Sequence, residues 1–539
     1  MKILGFQSGH DVSYCVLENG IPVIHDELER FTRIKEPMGD GLKMALEHCP
    51  PEILKDIGYF SLGNYGMFSP NGISKWGAKG SGVSWNLGCY DESCVTKMNS
   101  LIDKNNGGFY QIGHHLSHAS NAFFTSEHKE SLIITIDGGG WEDDKTPTAF
   151  TISIGSDNKI TPVEIFPINQ INFGYIWNHC TAFVFGLSAG YPKGNQCGSV
   201  MAMATIGEPK YKHLFNVTGN GIDYEMLKNI ASTSEQEKYN VAASLQKFTE
   251  EQVVNIIQPY IEKYKLKNIC FSGGVALNCV MMGRIREIFP NIKDIFIDPV
   301  PYDAGLSLGS ARYLWHCIMD NPRIYNTPAN QTSYLGRTYK NINDIESLLL
   351  EYKNIFTMRT TDEEVLNMLK DGKIVSVFGG SSESGRRALG NRSILADPRN
   401  PNMRDIINKK VKHRQWYRPF APSIIREAVS EWFEQDVSSP YMSFAIKFRD
   451  NKAKQVPAVV HYDNTGRLQT VEKTQNLWYY NFLKKWEGIS GVPILLNTSF
   501  NDREPIVETP KHAIDCFTRT NIDHLYFYDF GILLSKKEK

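Results

Sequence analysis

The feature that most constrains the fold is a pattern that occurs twice. In each copy an apolar strand runs into a polar, glycine-containing turn and is followed by a hairpin. The first copy is "KILGFQSGHD" with the hairpin "VSYCVLENGIPVIHDELE", and the second is "SLIITIDGGG" with "AFTISIGSDNKITPVEIF". Asn-Gly between alternating apolar residues, as in the first hairpin, is typical of a two-residue turn. The repeat predicts an α/β fold with two related halves.

The length of the chain predicts more than one domain. Its 539 residues are too many for one hydrophobic core. The segment 320–333, "DNPRIYNTPANQTS", is rich in Asn, Pro and Thr and is the best linker candidate. We therefore expect one domain over residues 1–330 and a second over residues 331–539.

Charge and cysteine content limit the setting in which the protein works. The net charge of −1 provides no overall field for nucleic acid or an anionic membrane. No stretch approaches the roughly 18 apolar residues that span a bilayer, and the N-terminus lacks a signal-peptide pattern. The ten cysteines include no CxxC pair, which favours a reducing compartment. We expect a cytoplasmic protein without a membrane segment.

The stretch "QIGHHLSHASNAFF", residues 111–124, contains three histidines. On a helix His114 and His118 share a face and could bind one metal ion, whereas His115 points about 100° away. Asp137 and Asp303 each follow a predicted strand, although either could equally form or cap a turn. Together the two histidines and two carboxylates would suit divalent iron, manganese or zinc, and are too rich in nitrogen for calcium.

Glycines after strands let backbone N–H groups approach a phosphate. Gly138 and Gly139 in "DGGG", and Gly273 and Gly274 in "SGGVALN", fit this pattern, although each pair alone could be a tight turn. Two such loops within a repeated pattern suggest a nucleotide held between related halves, as in the actin, Hsp70 and sugar-kinase (ASKHA) superfamily. His10, in the first turn, could be a general base at the same cleft or a surface histidine.

The second half of the chain concentrates cations near strand ends. A helix is predicted at "TDEEVLNMLKDGK", with Thr361 or Asp362 as N-cap, then a buried strand "IVSVFGG" and a last apolar strand "GVPILLNTSFN". Arginine pairs with phosphate through two hydrogen bonds, and lysine neutralises it as a point charge. The cations, with one strand-end hydroxyl, predict a second anion or nucleotide site unless they form a solvated surface: Arg386, Arg387, Arg392, Lys412, Arg418, Arg467 and Ser499.

Taken in order, the motifs resemble the NodU/CmcH-type O-carbamoyltransferase family over nearly the whole chain. They are "GHD", "GHHLSHA", "TIDGGG", "FSGGVALN", "PYDAGLSLGSA", "GRRALGNRSILADPRNP", "VKHRQWYRPFAPS", "RLQTV" and "LNTSFN". The resemblance implies a duplicated actin-like (ASKHA), TsaD-like domain with a metal and a nucleotide, followed by a YrdC-like α/β domain. It also implies that the second domain makes carbamoyl-adenylate from carbamoyl phosphate and ATP, and that the first transfers the carbamoyl group to an acceptor hydroxyl.

The resemblance also implies roles for individual residues. The metal ligands would be His114, His118, Asp137 and Asp303, and His10 would accept the proton of the acceptor hydroxyl. Gly138, Gly139, Gly273, Gly274 and Asn278 would line the nucleotide. ATP and carbamoyl phosphate would be held in the second domain by Arg387, Lys412, Arg418, Arg467 and Ser499. The expected cofactors are ATP with Mg²⁺ and a divalent metal, iron first, with manganese or zinc as alternatives.

The chain departs from the family pattern in three places. Arg386 stands where the family has proline, and Ser199 in "QCGSVM" stands where it has lysine. The segment "NTSFNDREPIV" is one residue short around positions 501–504 and lacks a glycine. These changes leave the metal set intact but affect the expected details of phosphate and acceptor binding.

Several alternatives remain open from the sequence. The acceptor is expected to be a small hydroxylated molecule, such as a sugar or antibiotic scaffold, with a hydroxymethylated base in DNA as the alternative. A sugar kinase or actin-like ATPase would form ADP rather than AMP. A metallopeptidase is disfavoured because His115 stands where the usual glutamate base should follow the first histidine. A non-catalytic binding protein would leave the ligand set unexplained, and a homodimer is an open expectation.

Overall fold

A computed structural model describes residues 1–64, 73–76, 91–142, 147–325 and 333–537. The chain forms two compact units, Met1–Thr332 and Ser333–Lys539. The predicted boundary between residues 330 and 331 lies outside the described residues, as do positions 326–332 of the predicted linker. Among the described helices, none is both long and apolar enough to cross a membrane. The nine described cysteines are all free.

The first unit begins with a six-stranded sheet of order β3-β2-β1-β4-β6-β5. Its strands are β1 Lys2–Gln7, β2 Ser13–Glu18, β3 Ile21–Glu27, β4 Ile57–Leu62, β5 Ile73–Trp76 and β6 Gly108–Ile112. The helices in the same part of the chain are α1 Leu28–Thr32, α2 Gly41–His48, α3 Pro51–Leu54, α4 Glu92–Lys104 and α5 His114–Thr125.

A second, five-stranded sheet of order β13-β12-β7-β8-β9 completes the first unit, with a small two-stranded ribbon, β10-β11. The strands are β7 Glu130–Trp141, β8 Pro147–Ser156, β9 Lys159–Pro167, β10 Ala189–Gly190, β11 Gly194–Asn195, β12 Asn268–Ser272 and β13 Asp294–Ile297. The helices are α6 Phe173–His179, α7 Cys197–Ala204, α8 Tyr224–Thr233, α9 Glu235–Tyr264, α10 Cys279–Ile288 and α11 Leu306–Tyr313. A 3₁₀ turn, Asp303–Gly305, precedes α11.

The two sheets share one strand order and one set of orientations. In the first, β1 is antiparallel to β2 and parallel to β4, and β4 is parallel to β6. In the second, β7 is antiparallel to β8 and parallel to β12, and β12 is parallel to β13. Both hairpins predicted from the sequence repeat, β2-β3 and β8-β9, are confirmed as antiparallel pairs.

The hairpin turns explain why these strands reverse where they do. Asn19 and Gly20 have φ angles of 50° and 83°, so both central residues of the first turn have positive φ. Asp157 has a φ of 51° at the second turn. Positive φ matches the twist of the flanking strands in a two-residue hairpin, and Asn, Asp and Gly adopt it most readily.

Helices α5 and α11 pack against each other and link the two sheets. Helix α11 contacts β1, β2 and β4, whereas α5 contacts β7, β8 and β12. Their close approach depends on Gly309, since a Cβ there would lie 1.9 Å from the carbonyl oxygen of Ser117. A buried cluster of α5 and β7 residues, including Ala119, Phe123 and Ile133, fixes α5 on the second sheet. This packing sets the position of the histidines on α5.

The second unit contains a nine-stranded mixed sheet of order β14-β22-β21-β15-β16-β20-β17-β19-β18. Its strands are β14 Ile355–Arg359, β15 Val375–Phe378, β16 Arg392–Ala396, β17 Ala421–Ile425, β18 Phe444–Lys447, β19 Thr465–Val471, β20 Ile494–Ser499, β21 His524–Phe527 and β22 Ile532–Lys536. Its helices are α12 Ile342–Leu349, α13 Asp362–Lys370, α14 Met403–Lys410, α15 Val429–Trp432, α16 Asp450–Ala453, α17 Leu477–Ser490 and α18 Pro510–Arg519. The predicted α/β class is therefore confirmed.

Two predictions for the second unit are confirmed and one is wrong. Helix α13 begins with Thr361 as N-cap, in a capping box with Glu364, and β15 is the predicted buried strand. Strand β20 is not the last strand, because "HLYF" and "ILLSK" form β21 and β22. These runs are only four and five residues long. They are strands because they pair with each other and with β15 and β14.

Candidate functional site

Two histidines and two aspartates meet in the first unit. The nearest ligand atoms of His114, His118, Asp137 and Asp303 all lie within 4.8 Å of one another. Nε2 of His118 is 2.9 Å from Oδ2 of Asp137 and 3.5 Å from Oδ1 of Asp303. Nε2 of His114 is 3.4 Å and 3.7 Å from the same two oxygens. The four residues that the sequence analysis grouped are thus brought together, with two imidazole nitrogens facing two carboxylates.

Three local features place the four residues. His114 and His118 lie one turn apart at the start of α5. Asp137 lies in β7 at the point where its register with β8 shifts, between Ile136 and Gly140. Asp303 lies in the 3₁₀ turn before α11. Gly140 must be glycine for this arrangement, since a Cβ there would lie 2.1 Å from Cγ of His114.

The charges within this cluster support one another. Burial alone would raise the pKa of Asp137, but hydrogen bonds from His114 and His118 hold that pKa well below its usual value. Burial opposes the charged form of His118, but Asp137 and Asp303 raise its pKa to about 10. Nδ1 of both cluster histidines is buried without a hydrogen-bond partner among the described residues. Buried nitrogen and carboxylate donors of this kind fit a divalent transition metal.

The third histidine has a different environment. His115 is buried, its Nδ1 lies 2.5 Å from Oγ1 of Thr135, and its Nε2 lies 2.8 Å from the carbonyl oxygen of Thr148. Burial, with smaller contributions from the two neighbouring histidines, lowers the pKa of His115 to about 3. Its ring therefore stays neutral and is hydrogen-bonded away from the cluster, in agreement with the helical spacing.

His10 lies beside the cluster and is accessible. Its side chain is 60% exposed, and its Nε2 lies 3.4 Å from Oδ2 of Asp303. Its Nδ1 lies 3.2 Å from Oδ2 of Asp11. The negative charge of Asp303 raises the pKa of His10 to about 10, which favours the imidazolium form. A cation bound to Asp303 would offset this charge and favour the neutral form that can accept a proton.

The predicted glycine loops lie next to the cluster. A Cβ on Gly273, whose φ is 89°, would lie 2.2 Å from the carbonyl oxygen of Ile136, so only glycine fits there. A Cβ on Gly274 would lie 3.2 Å from Oδ1 of Asp137. Gly139 also has positive φ, at 143°, whereas the N–H of Gly138 already donates to Oδ1 of Asp137 at 2.6 Å. The irregular segment 137–140 within β7 and the loop after β12 therefore lie side by side.

Asn278, predicted to line a nucleotide, has a structural task. Its Oδ1 accepts a hydrogen bond from the N–H of Met281 at 3.0 Å, which caps α10. Its Nδ2 donates to Oε1 of Gln246 at 2.9 Å, and Gln246 in turn donates to Glu250 at 2.8 Å. Both ends of the Asn278 amide therefore have protein partners.

Two supporting residues were not identified from the sequence. Glu142, near the end of β7, accepts hydrogen bonds from the N–H groups of His115 and Leu116 at the start of α5. Asp298, 1% exposed, accepts from Nδ2 of Asn121 at 2.8 Å, and so joins the loop that leads to Asp303 to α5. Neither lies in a spacing pattern that could have revealed its partner, because these contacts join distant segments.

A second cluster, in the second unit, consists of arginines. The guanidinium of Arg418 has no hydrogen bond or ion pair with the protein among the described residues, and the side chain is half-buried. Burial, and then the charge of Arg467, lower the pKa of Arg418 to about 10. Burial and the charges of Arg418 and Arg467 hold the pKa of Arg414 well below its usual value. We call Arg414, Arg418 and Arg467 the arginine cluster.

Lys412 and Ser499 form one network beside this loop. Lys412 is 2% exposed, and its Nζ donates to the carbonyl oxygens of Ser499 and Asn501 at 2.5 and 2.9 Å. It also lies 2.6 Å from Oδ1 of Asn501, which accepts from Oγ of Ser499 at 2.8 Å. Three ammonium hydrogens thus have at least three protein acceptors. Lys412 is therefore suited to supply charge and to fix the 499–501 segment.

The remaining arginines differ in burial. Arg386 and Arg387 are half-buried in the segment between β15 and β16. Arg392 was predicted with them, but it is 0% exposed. Its Nη1 donates to the carbonyl oxygens of Gly379 and Asn391 at 2.6 and 3.0 Å, and its guanidinium lies over the ring of Phe378. This part of the prediction is wrong, because local backbone takes up the charge.

The structure shows the surroundings of two departures from the family pattern, Ser199 and the segment 501–504. Ser199 is fully buried on α7, and its Oγ has no hydrogen-bond partner among the described residues. In the short segment 501–504, Nδ2 of Asn501 donates to the carbonyl oxygen of Glu504 at 2.7 Å, and the carboxylate of Glu504 pairs with Arg519. The shortened loop is therefore closed by its own hydrogen bond.

Comparisons with known proteins place the chain in a family. A family model for the carbamoyltransferase N-terminus matches residues 91–312, and one for the carbamoyltransferase C-terminus matches residues 366–533. An uncharacterized protein of Synechocystis is 31% identical, covering 97% of this chain and 94% of that protein. Nodulation protein NolO of Bradyrhizobium diazoefficiens is 32% identical, covering 77% of each chain.

Solved structures are more distant. The crystal structure of HypF from T. kodakarensis covers 59% of this chain and 48% of that chain, at 14% identity and a TM-score of 0.39. A score at this level carries no argument about function. The matches to the carbamoyltransferase models and relatives show that the chain belongs to the carbamoyltransferase family and is an enzyme that transfers a carbamoyl group.

Proposed function

We propose that the protein is an ATP-dependent O-carbamoyltransferase with two half-reactions. The observation that carries the proposal is the arginine cluster, in which the Arg418 guanidinium has no hydrogen bond or ion pair with the described residues. A half-buried guanidinium that lies near another arginine and has no ion pair of its own is costly unless a ligand supplies a counter-charge. A polyphosphate provides that charge, and guanidinium groups bind it bidentately.

In the first half-reaction, carbamoyl phosphate and water give carbamate and phosphate. An oxygen of carbamate then bonds to the α-phosphorus of ATP, and the bond to pyrophosphate breaks. The products are carbamoyl-adenylate and pyrophosphate. Arg418 and Arg467 bind the phosphates, Arg387 contributes a further guanidinium, and Lys412 with Ser499 stabilises the segment beside them. Mg²⁺ accompanies ATP, as in other phosphoryl-transfer sites.

In the second half-reaction an acceptor hydroxyl oxygen bonds to the carbamoyl carbon, and AMP leaves. His10 accepts the hydroxyl proton, since its side chain is accessible and lies beside Asp303. His114, His118, Asp137 and Asp303 would hold a divalent metal, with iron first and manganese or zinc as alternatives. When bound, such a metal supplies Lewis-acid polarisation of a carbonyl group. Gly139, Gly273 and Gly274 let the nucleotide approach the backbone.

The architecture that accompanies this proposal is a duplicated actin-like domain over residues 1–330 and a YrdC-like domain over residues 331–539. The shared strand order of the two sheets in the first unit supports the duplication. The free cysteines support a reducing, cytoplasmic location. The acceptor that we propose is a small hydroxylated molecule.

The test of the first half-reaction is direct. The protein is mixed with ATP and carbamoyl phosphate, and pyrophosphate and carbamoyl-AMP are measured. We expect both products from the wild type, and almost none from Arg418→Ala. Arg399→Ala is the control, because Arg399 is paired with Asp397 outside the arginine cluster. Formation of ADP instead of pyrophosphate would overturn the proposal in favour of a kinase or ATPase.

The acceptor is tested separately by mass spectrometry. Candidate acceptors are incubated with enzyme, ATP and carbamoyl phosphate, and products heavier by about 43 Da are sought, the mass added by one carbamoyl group. Small hydroxylated molecules are expected to be modified. Modification of hydroxymethylated DNA, with none of the small molecules, would contradict the proposed acceptor class.

A further inference from the structure

The loop between α14 and β17, residues 411–420, carries Lys412 and Arg418. Asn408, which lies in the last turns of α14 and is 1% exposed, forms the inner support of this loop. Its Nδ2 donates to the carbonyl oxygen of Arg418 at 2.9 Å and to that of Trp416 at 3.2 Å. Its Oδ1 accepts a hydrogen bond from Nε of Arg414 at 2.7 Å. One buried amide therefore contacts three positions of the loop.

Arg414 extends the same support. Its Nη2 donates to the carbonyl oxygen of Pro419 at 3.3 Å, and its guanidinium lies 4.8 Å from the ring centroid of Phe420. Its backbone N–H donates to the carbonyl oxygen of Asn408 at 3.1 Å. The carbonyl groups of two consecutive residues, Arg418 and Pro419, are therefore held by the Asn408–Arg414 pair.

We propose that Asn408 and Arg414 are positioning residues that fix the backbone at Arg418 for binding an anionic ligand. The charge of Arg467 opposes the charge of Arg418, and hydrogen bonds to the carbonyl groups of Arg418 and Pro419 limit how far the backbone can move in response. Arg414 acts through Arg418, since its Nε and Nη2 already have protein acceptors. The inference rests on the proposed function, because the ligand is taken to be the phosphates of ATP or carbamoyl phosphate.

The first test separates geometry from charge. Arg414→Lys keeps the positive charge but cannot donate to Asn408 and Pro419 together. The readout is ATP–pyrophosphate exchange in the presence of carbamoyl phosphate, analysed as kcat and KM for ATP. We expect KM to rise about tenfold, as for other small misplacements of a binding group, with a smaller change in kcat.

The matched control is Arg399→Lys in the same unit. Arg399 donates to Asp397 through Nε and Nη2 and to the carbonyl oxygen of Ser490 through Nη1. Arg399→Lys therefore removes a hydrogen-bonded guanidinium outside the arginine cluster. We expect its KM for ATP to stay within about twofold of the wild type, because no ligand contact is disturbed. Equal effects of the two substitutions would overturn the positioning role and indicate only a loss of folding stability.

A double-mutant cycle tests whether the two residues act as one pair. Asn408→Ala and Arg414→Lys both remove the Nε–Oδ1 hydrogen bond. We therefore expect the double variant to have a KM close to that of the worse single variant. If the increases in KM of the two single variants multiply in the double variant, the inference is overturned. If Asn408→Ala does not fold, the comparison of Arg414→Lys with Arg399→Lys still tests the positioning role of Arg414.

Calorimetric titration with inorganic pyrophosphate separates this inference from the proposed function. Wild-type protein that neither binds pyrophosphate nor catalyses the exchange would overturn both. Wild-type protein that does both, with Arg414→Lys binding pyrophosphate as tightly as the wild type, would overturn only the positioning role. Weaker binding by Arg414→Lys, with Arg399→Lys unchanged, is the expected result.

Discussion

The two charged clusters of this enzyme are built in opposite ways. In the first unit His114 and His118 face Asp137 and Asp303, and the charged forms of His118 and Asp137 stabilise each other. In the second unit Arg414, Arg418 and Arg467 converge, and burial and mutual repulsion oppose the charge of Arg414 and Arg418. The first cluster brings opposite charges together, whereas the second brings like charges together.

This difference shows what each cluster is suited to bind. Neutral imidazole nitrogens and carboxylates fit a cation that replaces the protons between them. Unbalanced guanidinium groups fit a polyanion. The contrast also explains the supporting structure. Glu142 and Asp298 join elements near the histidine–aspartate cluster by hydrogen bonds, whereas Asn408 and Arg414 join parts of the loop that carries Arg418.

The largest expected effect is that two substitutions, one in each cluster, each abolish a different property of the protein. His118→Ala removes one of four ligands and should lower the metal content of purified protein from about one ion per chain to nearly none. It should leave carbamoyl phosphate-dependent ATP–pyrophosphate exchange within about twofold of the wild type. Arg418→Ala should retain the metal and lose nearly all of the ATP–pyrophosphate exchange. Elemental analysis by mass spectrometry and the exchange assay measure the two effects.

His115→Ala is the control for the metal measurement. Its ring is hydrogen-bonded to Thr135 and Thr148 rather than to the cluster, so metal content should be retained while the melting temperature falls. Loss of metal in His115→Ala with retention in His118→Ala would reverse the assignment of the histidines.

A smaller effect is expected when only the shape of the Arg418 donor changes. Arg418→Lys retains the positive charge but replaces a planar fork by a point charge. We expect KM for ATP to rise about tenfold, less than the loss in Arg418→Ala. An Arg418→Lys variant as inactive as Arg418→Ala would show that charge alone contributes little there.

Raising the salt concentration should weaken ligand binding to the arginine cluster a few-fold more than metal binding to the histidine–aspartate cluster. Pyrophosphate binding to the arginine cluster should weaken several-fold between about 0.05 and 0.5 M salt, because exposed portions of the charges are screened. Metal retention by the buried histidine–aspartate cluster should change little over the same range. Titration calorimetry and metal analysis at both salt concentrations test this. Equal salt dependence would contradict the contrast between the clusters.

The smallest effect concerns an ordinary ion pair, His128 and Asp294, 2.8 Å apart. Burial opposes the charged form of His128, but Cys270 and Asp294 raise its pKa from the usual 6.5 to about 9. Because the folded-state pKa is raised, its stabilising contribution is complete below pH 6.5 and is lost as the pH rises through about 9. His128→Gln should lower the free energy of unfolding by about 1 kcal/mol at pH 6, and by less at pH 9.5.

Urea unfolding at the two pH values measures that difference. Asp294→Asn should remove the same pH-dependent contribution from the other side of the pair. Since the Asp294 side chain is half exposed, solvent screens the pair and keeps the effect small. An identical loss at both pH values would show that the pair contributes through packing rather than charge.

Patterns within one element were predicted well from the sequence. Both hairpins were predicted, the first from its Asn19-Gly20 turn, and the N-cap of α13 was narrowed to Thr361 or Asp362, of which the structure shows Thr361. The helical spacing of His114 and His118 also predicted a shared face. In each case the information lies within about four residues, the range over which backbone geometry relates one side chain to the next.

Donors and acceptors from distant segments were predicted poorly. Arg392 was grouped with ligand-binding cations, but the backbone of Gly379 and Asn391 takes up its hydrogen bonds. Asn278 was assigned to a nucleotide; the structure shows that it caps α10, which the sequence analysis did not predict, and its nucleotide contact stays a prediction. Arg414 was overlooked because its role depends on Asn408, which precedes the predicted loop, and on the carbonyl group of Pro419.

By itself the sequence determined the repeated strand-and-hairpin pattern, the ligand types and the concentration of cations in the second half. These follow from periodicity and side-chain chemistry, which are local properties. Only the tertiary structure decided how close Asp303 lies to a helix almost 190 residues before it. It also decided that the guanidinium of Arg418, unlike that of Arg392, has no hydrogen bond or ion pair within the described part of the chain. The physical reason is that a hydrogen bond or ion pair is decided by distances of about 3 Å, which only the packing of distant segments sets.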